Sequence, residues 1–171
     1  MGAGKTTAGR ELAKRLAVPF FDLDELVEAA EKMPVKEIFA ERGEPYFRKR
    51  ERDILRSTQY VEHGVIATGG GTFTFDENIQ FIQSAGLSVY LSAPFTTLRQ
   101  RIGEKAAERP MFRDDLAAAD LFNYRQKYYR MADVILELRE NDTALEVVER
   151  LMLELPKEVL ASIPRTSSRY R

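Results

Sequence analysis

The sequence predicts a three-layer α/β fold, a parallel sheet covered by helices on both faces. Three observations lead there. Short, mainly apolar runs at Phe20–Phe21, Val65–Thr68, Leu87–Leu91 and Asp133–Leu138 alternate with longer stretches of helical periodicity. Such alternation implies right-handed crossovers between parallel strands, and short apolar strands suit a sheet buried on both faces. Lastly, Gly2–Gly4, Asp22–Asp24 and Gly69–Gly71 all fall at strand ends, where α/β sheets collect ligands.

The elements follow in order. Thr6 to Ala17 reads as a helix with Ala8, Leu12, Ala13 and Leu16 on one face, ended by Pro19. Phe20-Phe21 is a buried strand closing on Asp22-Leu23-Asp24. Helices are expected over about 24–32, about 35–42 and from Glu44 to about Glu62, with Gly43 separating the last two. The second strand ends in Gly69-Gly70-Gly71. Asp76 is expected to cap a helix to about Ala85, stopped by Gly86 before the third strand. A helix from Pro94 to Ala106 gives way at Glu108-Arg109-Pro110, and another ends near Met131. The fourth strand precedes a helix over Thr143–Leu155. Residues 156–171 read as an extension, with a basic frayed tail from about 164.

Composition bounds the function. The 171 residues, 44% hydrophobic and 31% charged, fit one self-sufficient domain. The absence of Cys excludes disulfides, thiolate metal sites and cysteine nucleophiles, and suits a reducing cytosol. With 26 Lys+Arg against 27 Asp+Glu, the net charge of −1 argues against bulk nucleic-acid binding. No apolar run approaches the ~20 residues needed to span a bilayer, and no signal peptide is read before the first motif. A cytoplasmic protein is expected.

Gly2-Ala3-Gly4-Lys5-Thr6-Thr7 contains the second half of G-x-x-x-x-G-K-[ST]. Glycines let backbone N–H groups curl around phosphate oxygens, and the following helix adds its positive end. Lys5 would neutralise the β/γ-phosphates and Thr6 would offer its hydroxyl to Mg²⁺. The competing reading is a chance GKT before a helix. Asp22 and Asp24, spaced i, i+2, share a face if the strand continues, inviting a cation or a polyol. Alternatively they are a helix N-cap and a first-turn acid. Gly69–Gly71 suggests close backbone approach to a ligand, or a plain flexible turn. Arg48 lies in a charged helical run that also reads as a solvated face. Arg109 stands where a hinged lid would begin, and Arg125 lies in a helix beside Tyr128 and Tyr129.

Together these motifs resemble the shikimate kinase family over roughly residues 1–155. The match comprises GAGKT at 2–6, F-x-D-x-D from Phe20 to Asp24 and I-F-x-x-x-G-E-x-x-F-R from Ile38 to Arg48. It continues with Glu51, A-T-G-G-G-T from Ala67 to Thr72, V-Y-L from Val89 to Leu91, R-P at 109–110 and R-x-x-x-Y-x-x-A-D from Arg125 to Asp133. The resemblance implies transfer of the γ-phosphoryl group of ATP to the 3-hydroxyl of shikimate, in aromatic amino-acid synthesis, by a monomer. Its implied ATP contacts are Gly2, Ala3, Gly4, Lys5, Thr6, Thr7 and Arg109, with Arg101 and Arg139 as looser candidates beside adenine. Thr6 would hold Mg²⁺, and Asp22 would reach it through water. Asp24 would bind the shikimate hydroxyls and accept the reacting proton. Arg48 and Arg125 would grip the carboxylate, with Gly69, Gly70 and Gly71 against the ring. The implied catalytic residues are Lys5, Asp24 and Arg109, the last on a lid at about 108–120. Two other kinds of protein fit the bare phosphate loop: a kinase for nucleoside monophosphates or sugar acids, and a non-catalytic binding module.

In this family a five-stranded sheet runs in the order 2-3-1-4-5, with its central first strand ahead of the phosphate loop. The four strands read here correspond to the other four. The first loop glycine would fall two residues before Met1. The expectation is therefore that the central strand is missing from this chain and that Met1 is an internal methionine. Between Pro110 and Arg125 the chain is also a few residues shorter than in many members, with Met111-Phe112 where two leucines are common.

Overall fold

A computed structural model of the chain describes residues 2–102 and 115–164. Arg109, Met111, Phe112, most of the expected lid, the Arg101 side chain and the tail from 165 lie outside the described residues. Helix α1, Lys5–Leu16, buries Ala8, Leu12 and Ala13 and ends with Ala17 in the left-handed region. Strand β1 spans Phe20–Asp22, and helix α2 begins at once, Leu23–Glu31. Helix α3, Val35–Ser57, is broken at Gly43, whose φ of 80° interrupts it where the sequence places a boundary. Its second half ends at Ser57 and a 3₁₀ turn covers Thr58–Tyr60, short of the expected Glu62.

Strand β2 is Val65–Ala67, and a short 3₁₀ turn over Thr72–Thr74 follows the glycines. In helix α4, Asp76–Ala85, Phe75 occupies the N-cap. Asp76 therefore acts as a first-turn acid beside the helix dipole rather than as the cap. Strand β3 is Val89–Ser92, helix α5 Phe95–Ile102, helix α6 Asp115–Tyr129 and strand β4 Val134–Glu137. A reciprocal capping box of Thr143 and Glu146 starts helix α7, Ala144–Glu154. The expected extension contains a further helix, α8, Lys157–Ser162, absent from the sequence reading. Its Leu160 packs against the main core.

All the pairing among described strands is parallel. β1 pairs with β2, Phe20 opposite Val65, and β3 pairs with β4, Val89 opposite Val134. Asp133 clasps the start of the second pair, its Oδ2 accepting from the Ser88 amide at 2.8 Å. The two pairs form separate two-stranded sheets rather than one ladder. Between them lies a cavity of about 780 Å³. Val65, Ile66 and Ala67 of β2 line one wall and Val89, Tyr90 and Leu91 of β3 the other, with Leu12 and Leu16 among the helix residues. Protein interiors rarely leave voids much larger than one water, about 30 Å³ of liquid, so this slot is the dominant feature of the sheet layer.

The largest buried cluster joins α1, β3, β4 and α7 through Leu12, Leu91, Leu136, Val147, Val148 and Leu151. A second, of Val27, Ile38 and Phe47, ties α2 to both halves of α3. Among the described residues no helix is long and apolar enough to cross a membrane.

Candidate active site

The site begins at the first turn of α1. Gly4 is the N-cap at φ 75°, a left-handed conformation that any Cβ would strain, although a Cβ there would touch nothing within 4 Å. Its carbonyl accepts the first helical bond, from the Ala8 amide at 2.8 Å. Gly4 offers no capping side chain, which leaves the dipole and the leading N–H groups of a twelve-residue helix suited to an anion. Lys5 is the first helical residue and Thr6 the second.

The Thr6 hydroxyl donates to Asp22 Oδ2 at 2.8 Å. The strand geometry expected to carry Asp22 and Asp24 together stops at Asp22, which caps α2 by accepting from the Asp24 amide at 3.1 Å. The capping alternative is thus the local geometry, because carboxylates satisfy helix N-termini well. It does not disperse the two acids. Burial pushes the Asp24 carboxyl up to about 6, and the charges of Asp22, Glu51 and Glu28 add to that against the pull of Lys5. Oxygen donors at Thr6 and Asp22 suit Mg²⁺, which keeps several waters and takes few protein ligands. Among the described residues no group of three or more His, Cys, Asp or Glu could hold a metal ion by itself.

The glycine turn meets these acids. A Cβ on Gly69 would come within 3.1 Å of Asp24 Oδ1 and 3.0 Å of Glu51 Oε1. One on Gly71 would lie 2.6 Å from the Arg48 guanidinium, so only glycine admits that planar cation against the backbone. Arg48 is held at its other side by Glu44 at 3.0 Å and Glu51 at 2.9 Å. Glu51 is 1% exposed and also accepts from the Thr72 hydroxyl at 2.7 Å. The charged run from Phe47 is therefore not all solvated face: Arg48 and Glu51 turn inward.

Arg125, on α6, is buried to 9% exposure. One turn later Tyr129 donates its hydroxyl to the Gly70 carbonyl. Burial pushes that hydroxyl up, against the pull of the Arg125 and Arg48 charges. Arg139 follows β4, is exposed, and its amide donates to Asp142 at 2.8 Å.

The sequence reading missed two contributors. Tyr129 figured as a neighbour of Arg125 and as the Tyr of a motif, without a role, because its partner lies 59 positions away. Glu51 figured in a motif without a role, yet it joins Arg48 to Thr72. Glu51→Ala should lower the unfolding free energy by about 3–5 kcal/mol, as expected when one partner of a buried ion pair is removed. A urea midpoint close to that of the unchanged chain would contradict this.

A glycine-capped helix end carrying Lys5 and Thr6, a hydroxyl–carboxylate pair beside it, and a glycine turn packed against Asp24 and Arg48 define a small-molecule kinase of the P-loop class. The shikimate kinase family model matches residues 1–156. The shikimate kinase of Thermosynechococcus vestitus is 38% identical over 159 residues, 91% of this chain and 86% of that protein. That of Aquifex aeolicus is 35% identical over 161 residues, 94% of each chain. Among solved structures, the Aquifex aeolicus enzyme superposes with a TM-score of 0.79 at 33% identity, over 94% of both chains. The Acinetobacter baumannii enzyme, in complex with shikimate, gives 0.82 at 31% identity over 90% of this chain and 87% of that one. The chain belongs to the shikimate kinase family.

Proposed function

We propose that the residues gathered around the glycine turn carry out the ATP-dependent phosphorylation of the 3-hydroxyl of shikimate. The observation that carries this is the turn itself, with Asp24 packed against Gly69 and Arg48 against Gly71. A polyol acid needs an acceptor for its hydroxyls at one end and a cation for its carboxylate at the other. In this reading Arg48 and Arg125 bind the carboxylate, planar guanidiniums matching a planar anion. Asp24 orients the reacting hydroxyl and takes its proton. The backbone of Gly2–Gly4, with Ala3, Lys5, Thr6 and Thr7, cradles the triphosphate. Thr6, and Asp22 through water, would hold Mg²⁺, whose charge would offset that of the phosphates. Arg109 is assigned to the closing lid. Phosphoryl transfer demands mainly positioning and charge neutralisation, which this set supplies.

The competing readings are a kinase for another small acceptor and a binding module without turnover. A coupled ADP-release assay over shikimate, nucleoside monophosphates and sugar acids separates the first: shikimate alone should respond. Lys5→Met separates the second, since turnover should fall at least about 100-fold when the charge at the transferring phosphates is lost. No response to shikimate would overturn the function.

The finer architecture belongs to the same proposal. We assign the four strands to one sheet of the order β1-β2-x-β3-β4, the family's 2-3-1-4-5, with x an apolar strand seated in the slot between β2 and β3. Residues 1–155 then form the kinase unit, and 156–171 follow it as an extension.

A further inference from the structure

Tyr129 lies outside every role assigned above, yet it touches the centre of the site. Its ring is held from one side by Tyr90, centroids 5.1 Å apart at 41°. The Tyr90 hydroxyl is itself fixed by Gln126 Nε2 at 2.7 Å. Gln126 and Tyr129 both belong to α6, as does the buried Arg125. The Tyr129 hydroxyl reaches from this clamp to the carbonyl of Gly70, the middle glycine of the turn. It is therefore a bond between the element that carries one arginine and the turn against which the other, Arg48, is packed.

The peptide unit turns that bond into a constraint on the site. The Gly70 carbonyl and the Gly71 N–H share one planar trans unit and point in opposite directions. Fixing the carbonyl toward α6 fixes the amide away from it. Glycine on both sides of the bond lets this plane flip even while the turn's own bond, from the Thr72 amide to the Gly69 carbonyl at 3.3 Å, stays in place.

We infer that Tyr129 is a positioning residue for the acidic substrate: its hydroxyl locks the Gly70–Gly71 peptide plane and ties the glycine turn to Arg125. The inference rests on the proposed binding of shikimate at this turn. It acts on binding of the acceptor, not on the phosphate loop, so its loss should be felt by one substrate and not the other.

Tyr129→Phe keeps the ring against Tyr90 and removes only the donor. The expected result is a rise in KM for shikimate of about 5- to 20-fold, the range of one lost hydrogen bond at a fixed site. The kcat and the KM for ATP should stay within about twofold. In the absence of substrates, hydrogen exchange at the Thr72 amide, which donates to the Gly69 carbonyl across this peptide plane, should accelerate about tenfold in the variant, with the β2 amides unchanged. An unchanged KM for shikimate, or unchanged exchange at the turn, overturns the inference. So does an equal rise in both KM values with faster exchange throughout β2, the pattern of general loosening. If the unchanged chain itself fails to phosphorylate shikimate, it is the functional reading that falls. The exchange experiment still tests the lock.

Discussion

Asp24→Asn is expected to cost about 10²–10³ in turnover of shikimate and, in the same molecule, to raise stability at neutral pH. The rate loss is that of a missing proton acceptor. The stability gain follows from the direction in which the fold moves this carboxyl. Asp24 is raised from 3.8 to about 6 in the folded chain, so the fold favours its protonated form. That preference is fully present below the unfolded value and is lost as pH rises through about 6. Above that pH the charged carboxylate costs at most about 3 kcal/mol, since each tenfold change in proton affinity is worth about 1.4 kcal/mol. The neutral amide of nearly the same shape avoids the cost. Urea unfolding without Mg²⁺ should therefore show the variant more stable by about 1–3 kcal/mol at pH 7.5 and no more stable near pH 4. Comparing the two chains at each pH cancels the other carboxylates. A variant less stable at both pH values would mean that Asp24 holds the fold together rather than straining it.

The second large effect concerns the slot between β2 and β3. Joining five consecutive apolar, β-branched residues, followed by a Gly-Ser pair, ahead of Met1 should raise the unfolding free energy by about 5 kcal/mol over a Ser/Gly segment of equal length. Ala3 and Lys5 line the slot, so a segment joined there can enter it directly. Once inside, it meets the inner edges of β2 and β3 and the helices above and below. Each apolar side chain buried there is worth about 1.5–3 kcal/mol and each ladder bond about 0.5–1.5. Ordering each residue costs about 1–2 for the backbone and up to about 1 for the side chain, which leaves a surplus. Such a gain is comparable with the whole net stability of many domains, about 5–15 kcal/mol. The continuous apolar pattern is the right one because both faces of this layer are covered. Equal urea midpoints for the two segments would show that the slot does not take a strand.

Much of the fold was legible because its signals are local. The positive-φ break at Gly43 and the helix starts near Lys5 and Thr143 each depend on residues within one turn. The strands were found within two residues at either end, since a buried run is apolar whatever it pairs with. Helix α8 was not found, because six residues after Pro156 carry too few turns for a periodic pattern. Asp22 and Asp24 show the limit more sharply. Two readings competed, strand continuation and helix cap, and the choice turned on where β1 stops. The capping geometry won: Asp22 caps α2 and accepts from Thr6, while the Asp24 side chain packs against Gly69 near Glu51.

The chemical parts could be read from residue order alone: a phosphate loop, an acid pair, a glycine turn and arginines, in an order specific enough to resemble one family. Those parts are residue types at short spacings, and short spacings survive without knowledge of the fold. Which parts face one another was settled only in three dimensions. Folding turned Arg48 and Glu51 inward from a charged helix, brought Tyr129 across 59 positions to the Gly70 carbonyl, and split the strands into two pairs flanking an apolar slot. One cause lies behind all three. Burial and pairing energies depend on what lies opposite, and in a parallel α/β sheet the opposite residue comes from a distant part of the chain.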